Sequence, residues 1–187
     1  MAQLWQDGDL HGLVRVLGDT STEYDTKMDA AGALGNLMGA DDDDDYLDIV
    51  AVVVAAGAIP LLVELLRGGS NQLSRSEIAA TLETLAFDND NLAAVVAAGA
   101  LPQLVELLRG SWGEGRAKAA RTLTIFVGGC NNDIAAAVVA AGALLPLVEL
   151  LSVGSDMGRA NAAVALTMLS SRTIKAAVVA TGAILPL

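Results

Sequence analysis

The chain has 187 residues, a formal net charge of −11, 53% apolar residues and only 3% aromatics. An acid excess of that size without a basic stripe argues against a general binder of nucleic-acid backbone. A single cysteine, Cys130, rules out an internal disulfide and fits a reducing compartment. With so few aromatics the interior has to be built from Ala, Val, Leu and Ile, each burying a modest area.

Residues 1–46 read as a partial unit. Met1-Ala-Gln-Leu-Trp-Gln-Asp7 carries an acid early and no long apolar core, so no secretion signal is expected, and Ala2 stands where an acylated start needs glycine. Leu13-Val-Arg-Val-Leu17 predicts a short helix and 28–38 a longer one with Ala31, Leu34 and Leu37 inside. Residues 1–48 hold 12 acids against Arg15 and Lys27, whereas the remaining 139 hold 10 acids and 9 bases. One end of the chain therefore carries a negative field. Five aspartates at 41–45 offer oxygen ligands for a hard cation. The calcium-loop pattern fails, because Tyr46 stands where glycine is needed and Val52 where glutamate is needed. The run reads as a solvated acidic loop between units, with recruitment of a basic partner as the alternative.

One phrase then recurs: Val54-Ala-Ala-Gly-Ala-Ile-Pro-Leu-Leu-Val-Glu-Leu-Leu66, again from Val96, again from Val139, and once more as Val179-Ala-Thr-Gly-Ala-Ile-Leu-Pro-Leu187. Its glycines, Gly57, Gly99, Gly142 and Gly182, are spaced by 42, 43 and 40 residues. A period in that range means stacked supersecondary units. Each copy predicts a short apolar helix (47–56, 92–98, 134–141, 174–180) ended by glycine in a left-handed cap. Pro60, Pro102, Pro146 and Pro186 follow, placed to begin a helix without needing an N–H. Middle helices are predicted at 60–67, 102–109 and about 145–151, each closed by a Gly/Ser loop. Longer third helices follow at 74–86, 114–127 and 157–170, with inner positions Ala79/Leu82/Leu85, Ala120/Leu123/Phe126 and Ala163/Leu166/Leu169.

The reading is one all-α solenoid divided at 1–46, 47–90, 91–132, 133–171 and 172–187. The last stretch stops within the first turn of a middle helix and would expose Ile184, Leu185 and Leu187, so a fragment of a longer protein is expected. The longest uncharged runs (49–63, 91–105 and 134–148) are 15 residues each and broken by proline, too short for the roughly 18–20 residues of a membrane span.

Catalytic signals are weak. His11 is the one histidine, flanked by Leu10 and Gly12, and no nucleophile elbow accompanies it. Cys130, in Gly128-Gly-Cys-Asn-Asn132, has no second ligand or base nearby and reads as a bystander thiol. The Gly110-Ser-Trp-Gly-Glu-Gly115 stretch has phosphate-loop spacing but continues into Arg116-Ala117, with no strand before it. Glu64, Glu106 and Glu149 recur on the middle helices, and Arg67 and Arg109 stand three residues after the first two, so two surface ion pairs are predicted.

A three-helix unit of about 42 residues, with Gly-Ala-Ile/Leu-Pro or its one-residue-longer form followed by Leu-Val-x-Leu-Leu, resembles the armadillo repeat, and the resemblance runs over nearly the whole chain. It implies a right-handed superhelix whose third helices line a concave groove that takes extended protein partners. Nuclear import adaptors of that family use Trp and Asn four residues apart on successive third helices. Laid on this chain, that pattern falls at Gly32/Asn36, Ala80/Thr84, Arg121/Ile125 and Val164/Met168, and only Asn36 matches. Trp5 and Trp112 lie on no predicted third helix, so readout of nuclear-localisation signals in that manner is not expected.

The implied groove residues are Asp29, Asn36, Glu77, Thr84, Lys118, Arg121, Ile125, Asn161, Val164 and Met168, running from acidic through basic to neutral. The expected function is a non-catalytic scaffold for a protein or peptide, basic where it meets the acidic N-terminal end. The alternative is the substrate-recruiting array of a larger ubiquitin ligase whose catalytic domain lies outside this chain. No cofactor, metal, nucleic acid or transmembrane segment is expected. A monomer is expected unless its ends associate, in the cytoplasm or the nucleus.

Overall fold

The structure is a computed structural model that describes residues 9–39, 46–68, 72–110, 113–129 and 132–180. Eleven helices and no strand occur among the described residues. In order they are α1 Leu10–Gly18, α2 Tyr24–Met38, α3 Tyr46–Ala55, α4 Ala58–Gly68, α5 Gln72–Leu85 and α6 Asn89–Ala97. Then come α7 Ala100–Arg109, α8 Gly113–Gly128, α9 Asn132–Ala140, α10 Leu144–Val153 and α11 Asp156–Ala180. The fold class is an α-solenoid of short, middle and long helices, and the chain divides into two compact units, Met1–Gln103 and Leu104–Leu187.

Leucine spacing explains each core. In the first unit Leu13, Leu34, Leu62, Leu66, Leu82 and Leu85 are sealed from solvent, with α2 packed along α5. In the second, Leu107, Phe126, Val138 and Leu147 are sealed as α8 packs along α11. Each such side chain contributes about 1.5–3 kcal/mol by leaving water. That is enough for short helices, marginal on their own, to persist by packing.

The turns behave as the repeated phrase predicts. Gly57, Gly99 and Gly142 have φ of 81°, 92° and 83°, while no non-glycine among the described residues has positive φ. They end α3, α6 and α9, and the chain bends by 76° from α3 to α4 and by 74° from α9 to α10. Asp88 starts α6 by accepting from the N–H groups of Asp90 (2.9 Å) and Asn91 (3.0 Å). Gly182 and Pro186 lie outside the described residues.

Two expectations need correction. The middle helices begin at Ala58, Ala100 and Leu144, so Pro60, Pro102 and Pro146 stand third rather than first. The N–H of a third helical residue has no intrahelical acceptor either, so proline is tolerated there for the same reason. The extra residue of the third copy is absorbed at Ala143, ahead of the helix. Second, the helices predicted at 157–170 and 174–180 are one, α11, of 25 residues against 14 in α5 and 16 in α8. Ser171-Arg172-Thr173 contains neither glycine nor proline, so nothing in the backbone chemistry stops the helix there.

α10 differs from its counterparts. Val148 is 50% exposed, whereas Val63 and Val105 at the same register are 1% exposed, and Leu145 and Val153 are more exposed still. No single helix among the described residues is long and apolar enough to cross a membrane.

Candidate functional site

The third helices carry the candidate residues, and side-chain bonds to neighbouring backbone set their register. In the first unit the Thr81 hydroxyl of α5 lies 3.2 Å from the Ala31 carbonyl of α2 and 3.2 Å from its own Glu77 carbonyl. The approach is close because Gly35 has no side chain. A Cβ there would stand 2.6 Å from the Thr81 hydroxyl. The contact joins the two helices that carry Asp29, Gly32 and Asn36 on α2 and Glu77, Ala80 and Thr84 on α5. Asp29, Asn36 and Glu77 are exposed; Gly32, Ala80 and Thr84 are half-buried, and the Thr84 hydroxyl donates to the Ala80 carbonyl at 3.2 Å.

In the second unit the Asn161 side-chain amide of α11 donates to the Ala117 carbonyl of α8 at 3.0 Å. The Thr124 hydroxyl of α8 answers it, 3.3 Å from the Asn161 carbonyl. Arg121 is exposed, Ile125 and Met168 are half-buried, and Val164 is 44% exposed. Lys118 pairs with Glu114 at 3.2 Å, a surface pair worth only tenths of a kcal/mol. Asn161, expected to face a partner, thus spends its donor on packing.

Of the remaining candidates, His11 is exposed on α1. Cys130, Trp5, Trp112 and the aspartates at 41–45 lie outside the described residues. Both predicted surface pairs form, Arg67 with Glu64 at 2.7 Å and Arg109 with Glu106 at 2.8 Å. Each arginine also reaches the next left-handed glycine, where a Cβ would meet its Nη2 at 3.7 Å for Gly99 and 3.1 Å for Gly142.

Sequence reasoning missed a second arginine column. Arg75 Nε donates to the Leu66 carbonyl at 3.2 Å, Arg116 Nε to the Leu108 carbonyl at 3.0 Å, and Arg159 Nη1 to the Gly154 carbonyl at 3.3 Å. Each caps the end of a middle helix, where carbonyls lack partners and a cation is favoured. The signal was available: all three stand four residues before the repeating alanines Ala79, Ala120 and Ala163, of which the first two are buried, whereas Ala163, expected inside, is exposed and Ala162 and Ala165 are buried in its place.

The model of the armadillo/beta-catenin-like repeat matches residues 131–171. No curated protein matches the sequence. Among solved structures, an engineered protein is 29% identical over 87% of this chain with a TM-score of 0.75, and this chain spans 63% of its length. A second engineered protein is 31% identical, with 90% of this chain and 69% of that one covered and a TM-score of 0.75. Computationally designed armadillo repeat proteins for modular peptide recognition are 28% identical, with 89% and 67% covered and a TM-score of 0.74.

Proposed function

Because the chain belongs to the armadillo repeat family, we propose that it is a non-catalytic scaffold holding a protein or extended peptide along its third helices. One observation carries the reading. The side-chain bonds of Thr81 and Asn161 join α2 to α5 and α8 to α11, while the residues at the groove register change from copy to copy. Fixed helices with variable outward residues are what selective recognition requires, since preorganised contacts lose little entropy on binding. The designed relatives made for peptide recognition support the same use of the fold.

The α2–α5 portion presents Asp29, Asn36 and Glu77 and suits a basic stretch of partner. The α8–α11 portion presents Lys118 and Arg121 beside Ile125, Val164 and Met168 and suits an acidic and apolar one. Reversing Lys118 and Arg121 to Glu and capturing partners from the source cell tests this. A severalfold loss of recovery is expected, and equal recovery would remove the groove at that unit. Imaging of the tagged chain tests the accompanying proposal that it acts in the cytoplasm or the nucleus.

A further inference from the structure

Two departures from the repeat meet at the end of the second unit. The first is the row Leu144, Val148 and Leu151 on α10, exposed by 41%, 50% and 36%. The same register holds Ile59, Val63 and Leu66 on α4 and Leu101, Val105 and Leu108 on α7, none of them more than 5% exposed. Against α4 packs α6, the short helix of the following copy. Side chains spaced i, i+4 and i+7 form a ridge that receives a helix. On α10 that ridge stands open to solvent.

The second departure is α11. Counted from the glycines of the repeated phrase, the counterpart of α6 is residues 172–180, and Ala-Ala-Val-Val-Ala at 176–180 repeats 93–97. These residues form no helix of their own but prolong α11 to Ala180. Asp88 opens α6 by accepting from two N–H groups. Ser171, at the same register, instead donates its hydroxyl to the Met168 carbonyl at 3.0 Å, within α11. Arg172 Nη2 donates to the Gly128 carbonyl at 2.9 Å and fastens α11 to the end of α8 where the other copies break. The α10 helix is about 15 Å long and joins the start of α11 through Gly154-Ser155, whereas residue 172 lies about 24 Å along α11. While α11 is unbroken, residues 172–180 therefore cannot cover the α10 of their own chain.

We propose that two copies of the chain exchange this segment, residues 172–180 of each lying on the Leu144, Val148 and Leu151 row of the other as α6 lies on α4. Exchange of an identical element is a low-cost route to a closed, twofold dimer, because the contact it makes is one the repeat already uses within a chain. Charge permits the pairing. From Leu104 to Leu187 there are five acids and seven bases, whereas the first unit holds 17 acids and four bases. Two second units therefore meet without the repulsion that two first units would suffer. The exchange uses none of the groove residues, so it stands apart from the groove reading.

Light scattering of the full chain during size-exclusion chromatography tests the exchange, and a mass twice the 19.0 kDa of one chain is expected. Val148→Glu puts a charge on the seat at an exposed position and is expected to give a monomer with unchanged helical circular dichroism. Arg172→Pro breaks α11 at the register where α6 and α9 begin, a first-turn position that accepts proline. The segment then folds back on its own α10, giving a monomer that melts above Val148→Glu. Ser171→Asp supplies the cap that Asp88 gives α6 and is expected to shift the equilibrium toward monomer more gently. A wild-type chain that stays monomeric across a concentration series, or a dimer that survives Val148→Glu, would overturn the proposal. A dimer unchanged by both Arg172→Pro and Ser171→Asp would overturn it too, since contact between the two rows alone would then hold the copies together.

Discussion

The side-chain amide of Asn161 donates to the backbone carbonyl of Ala117 at 3.0 Å, tying α11 to α8 across 44 residues of chain. A residue at the groove register is thus also a packing residue. Asn161→Ala is expected to cost about 0.5–1.5 kcal/mol, the net worth of one such bond. Asn161→Asp should cost more, because it sets an acceptor against the Ala117 carbonyl. Urea unfolding measures both; two variants as stable as wild type would show that the bond holds nothing.

Glycines divide into three kinds by what surrounds them. Gly32 has nothing within 4 Å of an added Cβ and lies inside α2, so Gly32→Ala is expected to stabilise by about 0.5–1 kcal/mol. Gly35→Ala would drive a methyl into the Thr81 hydroxyl and is expected to destabilise, against its better helix propensity. Gly99→Val and Gly142→Val force a β-branched residue into positive φ and should cost about 1–2 kcal/mol or more. Gly142→Val should be the worse of these two because the Arg109 guanidinium is closer. Thermal melts of the four variants check the order.

Arg75→Lys is expected to cost more than Arg116→Lys. The first loses two carbonyl contacts and the second one, each worth about 1.5–3 kcal/mol at most for a charged donor. Equal midpoints in urea would mean that the bridging bond to Gln103 contributes nothing to folding.

Asp19 supplies a pH marker. Its carboxyl is lowered first by the Ser21 backbone N–H and then by the Ser21 hydroxyl, both at 2.8 Å. A depressed folded-state pKa means that its contribution is present above the unfolded value and lost as pH falls through the folded one. Ser21→Ala should raise the Asp19 midpoint followed by side-chain NMR, while leaving the backbone contribution in place. A midpoint that does not move would assign the whole effect to the backbone.

Much of this architecture is written plainly in the chain. Glycine and proline chemistry placed every left-handed turn from Gly57 to Gly142, and leucine spacing placed the middle helices to within two residues. What escaped depends on contacts between elements distant in sequence. The Thr81 bond to Ala31 spans 50 residues and cannot be read from a threonine that looks like a helix-surface residue. The arginine column carried a periodic signal but no local chemistry, since an arginine in a first helical turn usually faces solvent. The candidate groove was legible as register alone. Which of its members are also structural, as Asn161 is, appeared only when the partner carbonyl came into place.

The outward row on α10 has a practical bearing on all these measurements. Leu144, Leu145, Val148 and Leu151 lie on one side of the helix and are exposed to water, and strips of that kind adhere to other apolar surfaces without selectivity. Bait for capture experiments is therefore best prepared with Leu145→Lys and Val148→Glu. Proteins retained by the original chain but not by this one are then recognised as contaminants of the strip, and those retained by both report on the helices that select.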